Sequence, residues 1–436
     1  MNNRSTLYTF LKYVSLNILG QLAYSCYTLA DTFFVSANLG TNGLAALNLA
    51  FPVFCLINGT GLMLGMGGGT KYSIQKSRGE HEKANKTFTH SVCVVVCLGT
   101  IFVLFGLFLS GSIVKLLGAN TAIFPMTNTY LRVMLLFAPA FLSNNLLQCF
   151  VRNDGNPSLS MAAMITGCLS NIVLDYIFIF SFGMGILGAI LATGMSPVIS
   201  IFVLSPYIIQ KKNKFHLTRC KLCFKRTFDI LSIGVSSFIT EASSGIVMII
   251  FNFIILRFEG NIGVAAYGVV AAISLVVVAI YTGLSQGIQP IISLNYGMGK
   301  ASDVKAIFRY SLIAIFILFG VIYCIIFFGT STIASTFNSE HNNILQEIAE
   351  MGLRIYFIAC PFLGFNIVLS TYFTSTERPK PAQIISLLRG FFVIIPIAFL
   401  LSAFFQMFGV WFAFPFTELL VTALGLYAFI KNNDIN

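Results

Sequence analysis

Apolar runs of about 20 residues, the length that crosses the hydrocarbon core of a bilayer, can be laid along this chain twelve times. They fall at 12–36, 44–70, 88–110, 125–150, 159–180, 184–207, 229–255, 262–290, 307–329, 349–373, 382–402 and 408–430. No other feature narrows the fold as far, because a chain in lipid must satisfy its backbone hydrogen bonds internally and an apolar run does so as a helix. Composition agrees: 57% of the 436 residues are hydrophobic and 9% charged, whereas soluble proteins carry roughly 25% charged residues. The expectation is an all-α integral membrane protein of twelve transmembrane helices. Its start, "MNNRSTLYTFLKYVSLNILG", leads straight into a span with no small-residue cleavage site, so no removable signal peptide is expected.

The net charge of +11 invites a nucleic-acid reading, but its distribution excludes one. With the N-terminus inside, the inward gaps and the termini hold 21 of the 26 basic residues, including Arg152 and seven in the loop from Lys211 to Arg226; the outward gaps hold only Lys115 and Arg257. That asymmetry follows the positive-inside rule and puts both termini in the cytoplasm of a multi-pass cell-membrane protein. The ten cysteines are scattered, mostly in apolar runs, as small packing residues. Cys220 and Cys223 form a C-x-x-C, but zinc needs further ligands and only His216 is near.

The basic loop "QKKNKFHLTRCKLCFKR" divides the chain near its middle, giving an N-terminal lobe (1–209), a linker (210–228) and a C-terminal lobe (229–436). The halves repeat each other. "GLAALNLAFPVF" from Gly43 matches "GVAAYGVVAAIS" from Gly263, and Gly79 falls on Gly299 at the same offset; a slightly larger offset puts Pro157 on Pro381 and Gly185–Thr193 on Gly409–Thr417. Six spans per half is an even number, so both lobes enter the membrane alike and are expected to relate by a pseudo-two-fold axis along the membrane normal, with a cleft between them. Asp31 and Asp175 project onto Phe251 and Phe399. The scaffold was duplicated and the carboxylates were not.

Span 1 carries Asn17, Gln21, Tyr24, Thr28 and Asp31 at steps of four, three, four and three, one polar stripe on a helical face that must look at protein or water. Asp31 and Asp175 fall at similar depth in the outer third of their spans, Asn171 lies one turn from Asp175, and Thr193 lies in the outer half of span 6. These four are a candidate site for a proton or a monovalent cation, since two carboxylates at close range with no basic residue at that depth share one. In the second lobe Glu241 on span 7 is a candidate cavity residue for a cationic substrate, and Glu418 has a possible structural partner in Arg389.

Other motifs lead nowhere. "GLMLGMGGGTKYS" lacks the P-loop order, because Lys71 follows Thr70, and its glycines suit close helix packing instead. The "NGT" sequon at Asn58 lies within a span, and none of His81, His90, His216 and His341 sits mid-span. Without a cluster of His, Asp or Cys at one membrane face, neither an enzyme nor a cofactor is expected.

The stretches "LADTFFVSANLGTNGLAALNLAFP", "RNDGNPSLSM", "SNIVLDYIFIF" with "GILGAILAT", and "GLSQGIQPIISLNYGMGK" make the chain resemble the multidrug and toxic compound extrusion transporters, in their bacterial multidrug branch, over essentially its whole length. The resemblance implies antiport of organic, often cationic compounds against inward H⁺ or Na⁺. It also implies a coupling site at the positions matching Asp31, Asn171, Asp175 and Thr193. A second branch puts sodium on carboxylates of spans 7 and 10, and here span 10 has none. A monomer in the bilayer is expected, with small organic substrates lining up along Gln21, Tyr24, Thr28 and Glu241. A lipid-linked oligosaccharide or lipid flippase of the same superfamily is the alternative, though such proteins usually bring extra spans or several cavity cations.

Overall fold

A computed structural model describes residues 3–221, 223–338 and 342–433. Among these the chain is helical apart from turns and the linker. The elements are α1 (Asn3–Ser77), α2 (His81–Phe108), α3 (Ser110–Leu116), α4 (Phe124–Asn153), α5 (Pro157–Asp175), α6 (Gly185–Ile209), α7 (Phe224–Gly297), α8 (Ala301–Phe337), α9 (Asn343–Tyr356), α10 (Cys360–Ser375), α11 (Pro379–Leu387) and α12 (Ile394–Asn433). Among the described residues, nine stretches are long and apolar enough to cross a membrane. Three of them, α1, α7 and the run through α11 and α12, are two spans joined through a non-helical residue at Gly40, Gly260 and Gln406. That makes twelve spans in two halves of six. Large exposed side chains such as Phe108, Phe328 and Phe404 face outward, where lipid accepts them.

The sequence pattern predicts loops at 37–43 and 256–261; the structure has sharp kinks there. Gly40 and Gly260 lie at the repeat offset and adopt the same backbone, φ 61°, ψ −152° and φ 58°, ψ −149°, a region only glycine visits without strain. A Cβ at either would meet nothing within 4 Å, so the requirement is conformational rather than steric. Gly40→Ala and Gly260→Ala should each lower stability by about 1–3 kcal/mol, measured as thermal unfolding in detergent; unchanged melting in both would show that the kink relaxes freely. Gly79 and Gly299, also paired by the offset, share φ 78° and 72°.

One register differs from expectation. Pro157 opens α5 two residues after Gly155 (φ 105°), and Pro379 opens α11 two residues after Glu377 (φ 55°). Pro379 rather than Pro381 is therefore the structural counterpart of Pro157, because both prolines occupy the first helical turn, where a missing N–H is harmless. Asn156 caps α5 by accepting from the Leu159 amide at 3.2 Å.

At the end where the basic gaps gather, here the basic end, the halves interlock through glycine. A Cβ at Gly234 would lie 1.8 Å from the Met63 carbonyl oxygen, and one at Gly67 2.1 Å from that of Ile230. Gly283 and Gly287 meet the backbone of Ile18 and Val14 in the same way. Lys71 pairs with Asp229 at 2.6 Å across this seam. The "GLMLGMGGGTKYS" glycines thus do serve close packing. The linker is docked, not loose: buried Phe215 packs among Tyr72, Phe88 and Phe150, and Asp154 accepts from Tyr72, Lys76, Tyr207 and the Lys214 amide. Helix α7 begins at Phe224, ahead of the expected start at 229.

Candidate functional site

Spans 5 and 6 cross closely because Gly167 admits span 6: a Cβ there would stand 3.1 Å from the Ser196 carbonyl, and Ser196 Oγ donates to the Gly167 carbonyl at 2.8 Å. One turn farther from the basic end, this crossing brings Asn171 beside Thr193. Gly20 lets span 1 approach span 5, with Met164 against it, and Phe34 of span 1 meets Phe180 edge-on at 5.9 Å. A π turn, Tyr176–Ser181, follows Asp175 directly. Such wide turns redirect side chains and recur at functional positions.

The result is that all four residues expected to form the N-terminal site come together. Asp31, Asn171, Asp175 and Thr193 are 7%, 0%, 0% and 5% exposed. The carboxyls of Asp31 and Asp175 are close enough to interact electrostatically. With its amide oriented to satisfy its neighbours, Asn171 donates to Asp175 Oδ2 at 3.0 Å and accepts from the Thr193 amide at 3.2 Å. Oδ1 of Asp31 and Oδ1 of Asp175 are both buried without a partner among the described residues. Two dry, neighbouring carboxylates with two unmet oxygens fit a shared proton or a small monovalent cation, since both cannot stay ionised side by side without one.

Tyr130 of α4, also buried, lies near both carboxylates. Sequence reading misses it because a Tyr in an apolar run has no polar periodicity around it.

The span 1 stripe leads from this pair toward the basic end. Gln21 and Tyr24 line a cavity of about 80 Å³ with Tyr27, Asn58, Arg152 and Glu241. Thr28 does not line it; its hydroxyl donates to the Tyr24 carbonyl at 2.9 Å, so it belongs to the stripe by spacing but turns its polar group back onto the helix. Asn17 receives Arg152 Nη1 at 2.8 Å. Glu241 stands between the halves, accepting from Asn58 Nδ2 at 3.2 Å while Asn145 donates to Asn58 Oδ1 at 2.8 Å. It lines a second, larger cavity of about 330 Å³, walled mostly by the C-terminal half, which shares Leu62, Thr282 and Gln286 with the first. Asn58, noted in the sequence only as an unusable sequon, is thus the residue that orients Glu241.

Three further expectations are corrected or sharpened. Arg152, counted among the inward-gap basic residues, ends α4 and is 1% exposed between the halves. Arg389 and Glu418 do pair, at 2.9 Å. His90, not His216, is the histidine the C-x-x-C reaches: the Cys223 amide donates to its Nε2 at 3.0 Å, and Cys220 Sγ is 3.8 Å from its Nδ1. His341 lies outside the described residues.

Comparison with known proteins agrees with this architecture. The MatE family model matches residues 17–177 and 236–400, one segment in each half. The chain is 26% identical over 395 residues to multidrug export protein MepA of Staphylococcus saprophyticus and to that of Staphylococcus aureus, covering 90% of this chain and 86% of each relative. Among solved structures, a MATE protein in complex with MaL6 superposes with a TM-score of 0.91 at 23% identity, covering 97% of this chain and 95% of the other. A MOP superfamily transporter from Pyrococcus furiosus gives 0.90 with the same identity and coverage. By the extent of the family match, three quarters of its length in two ordered segments, this chain is a member of the MatE family.

Proposed function

We propose that this protein is a secondary active multidrug exporter that moves organic, often cationic compounds out of the cell against inward H⁺ or Na⁺ by alternating access. Residues 1–209 and 229–436 act as the two lobes, joined by the 210–228 linker, with both termini cytoplasmic and a single chain as the working unit. The observation that carries the reading is the dry Asp31–Asp175 pair in one lobe, connected by the span 1 stripe to a cavity that meets Glu241 of the other. The tight packing at the basic end supports a state closed toward the cytoplasm. Arrival of the ion from outside neutralises the pair and repacks spans 1, 5 and 6 around it. The relatives' export role favours this over a lipid flippase, and nothing in such a cycle requires a cofactor or an enzymatic step.

Purified protein in vesicles, given a pH gradient and a sodium gradient separately, tests the reading. Dye export under one of them is expected; export under neither overturns it. Glu241, held by Asn58 at the meeting of the two cavities, is the cationic substrate's counter-charge. Glu241→Gln keeps the size and removes the charge, so affinity for a cationic dye should fall about tenfold, in line with the loss of one charge-assisted contact. Equilibrium dye binding measures it, and undiminished affinity would move the substrate elsewhere.

A further inference from the structure

The larger cavity is lined by two charged side chains besides Glu241, namely Arg389 and Glu418. Arg389 sits in the π turn Leu388–Phe392 that interrupts span 11, and it lines the cavity. Spans 7 and 11 meet at this level: a Cβ on Gly390 would lie 2.6 Å from Ser243 Cβ, and Thr240 Oγ1 lies 3.5 Å from Ser386 Oγ. Arg389 and Glu241 therefore belong to adjoining stretches of one wall.

Arg389 is held by one edge only. Its Nε donates to both oxygens of Glu418, at 2.9 and 3.1 Å, and Asn366 Nδ2 donates to Glu418 Oε2 at 2.7 Å. Glu418 is 1% exposed, so the carboxylate and its two donors form a fixed mount. The Nη1 and Nη2 groups have no hydrogen-bond partner among the described residues, and 13% of the side chain remains open. A guanidinium serving only to balance Glu418 would engage it bidentately, through two parallel N–H groups, whereas here the single Nε–H is shared by both oxygens. The Nη fork is left free beside the cavity. Tyr356 and Phe414, stacked at 4.4 Å with 6° between their planes, line the same cavity and present flat apolar faces.

We propose that Arg389 is a carboxylate-recognising subsite of the substrate cavity. Its Nη fork receives the acid group of an aromatic zwitterion while Glu241 takes the ammonium group. This rests on the export reading above. Because Arg389 and Glu418 cancel in net charge, the acid is held by directional hydrogen bonds rather than by field, and Glu241 disfavours a plain anion with no cationic group. Selectivity for zwitterions over anions follows.

The test uses the full chain purified in detergent and two rhodamine dyes sharing one ring system, a free acid (zwitterion) and its methyl ester (cation). Binding is read by fluorescence anisotropy. Arg389→Lys keeps the charge opposite Glu418 and removes the planar fork. The double variant Arg389→Gln, Glu418→Gln removes both charges together, so no buried carboxylate is stranded. Both should lower the acid-to-ester affinity ratio about tenfold, the size of one lost bidentate charge-assisted contact. A ratio unchanged in the two variants, or a wild type that binds neither dye, overturns the subsite. A wild type that binds both with the expected ratio but exports neither in vesicles leaves the subsite standing and overturns export.

Discussion

Replacing Asp175 by Asn should abolish gradient-driven efflux while leaving insertion and folding intact. The side chain is fully buried, one of its oxygens is unmet, and its neighbour Asp31 has an unmet oxygen as well. An amide in that place is neutral at every ion concentration, so the site is held as though an ion were always bound. An ion shifts a conformational equilibrium only by its difference in affinity for the two states, and swinging a population from 1:99 to 99:1 takes about 10⁴-fold, or ~5.5 kcal/mol. Without a charge at 175 that difference collapses. Asp31→Asn should behave alike. Efflux driven by an imposed pH or sodium gradient should fall to the level of protein-free vesicles, whereas gradient-free substrate exchange persists. Retained gradient-driven efflux would remove Asp175 from the coupling step.

The second large effect concerns Arg152. Its Nη1 donates to Asn17 Oδ1 and Gln286 Oε1, both at 2.8 Å, and so bridges the halves. Nη2 touches only the sulfurs of Met66 and Cys149, and Nε is buried without a partner. No carboxylate pairs with it among the described residues. Burying a guanidinium without a counter-ion carries a penalty of several kcal/mol, and the penalty vanishes when the lobes part and water enters. The charge therefore favours opening of the basic end and opposes the glycine packing that closes it. Arg152→Gln should shift the population toward closure: slower hydrogen exchange around Val14–Ile18 and turnover reduced at least ~10-fold, since closure favoured by a few kcal/mol must be undone in each cycle. Faster exchange in the variant would mean that Arg152 clamps the end shut instead.

Legibility differed sharply between kinds of feature. Spans, lobe repeat and the Asp31–Asp175 constellation could be read because lipid imposes a one-dimensional rule: polar groups in apolar runs stand out, and helical spacing assigns them a face and a depth. Asn171 and Thr193 followed from the same rule. Thr28 obeyed the spacing and still does not face the cavity, since a threonine hydroxyl can satisfy itself on the preceding turn. Asn58 and Tyr130 were invisible as site residues because what defines them is a partner 183 positions away in one case and a facing helix in the other. Arg152 was misplaced because a basic residue beside a loop reads as a topology signal, and only the packed halves reveal that it is enclosed.

The sequence by itself determined the membrane class, the count of spans, the duplicated scaffold and the unduplicated carboxylates, because each depends on local composition or on spacing along one helix. Tertiary structure alone decided which polar groups meet, where Gly40 and Gly260 bend a helix in place of a loop, and which edge of Arg389 stays free. The meetings depend on the closeness of helices far apart in the chain, set by glycines whose missing Cβ atoms leave no trace in hydropathy, and the kinks on a positive φ that hydropathy does not record either.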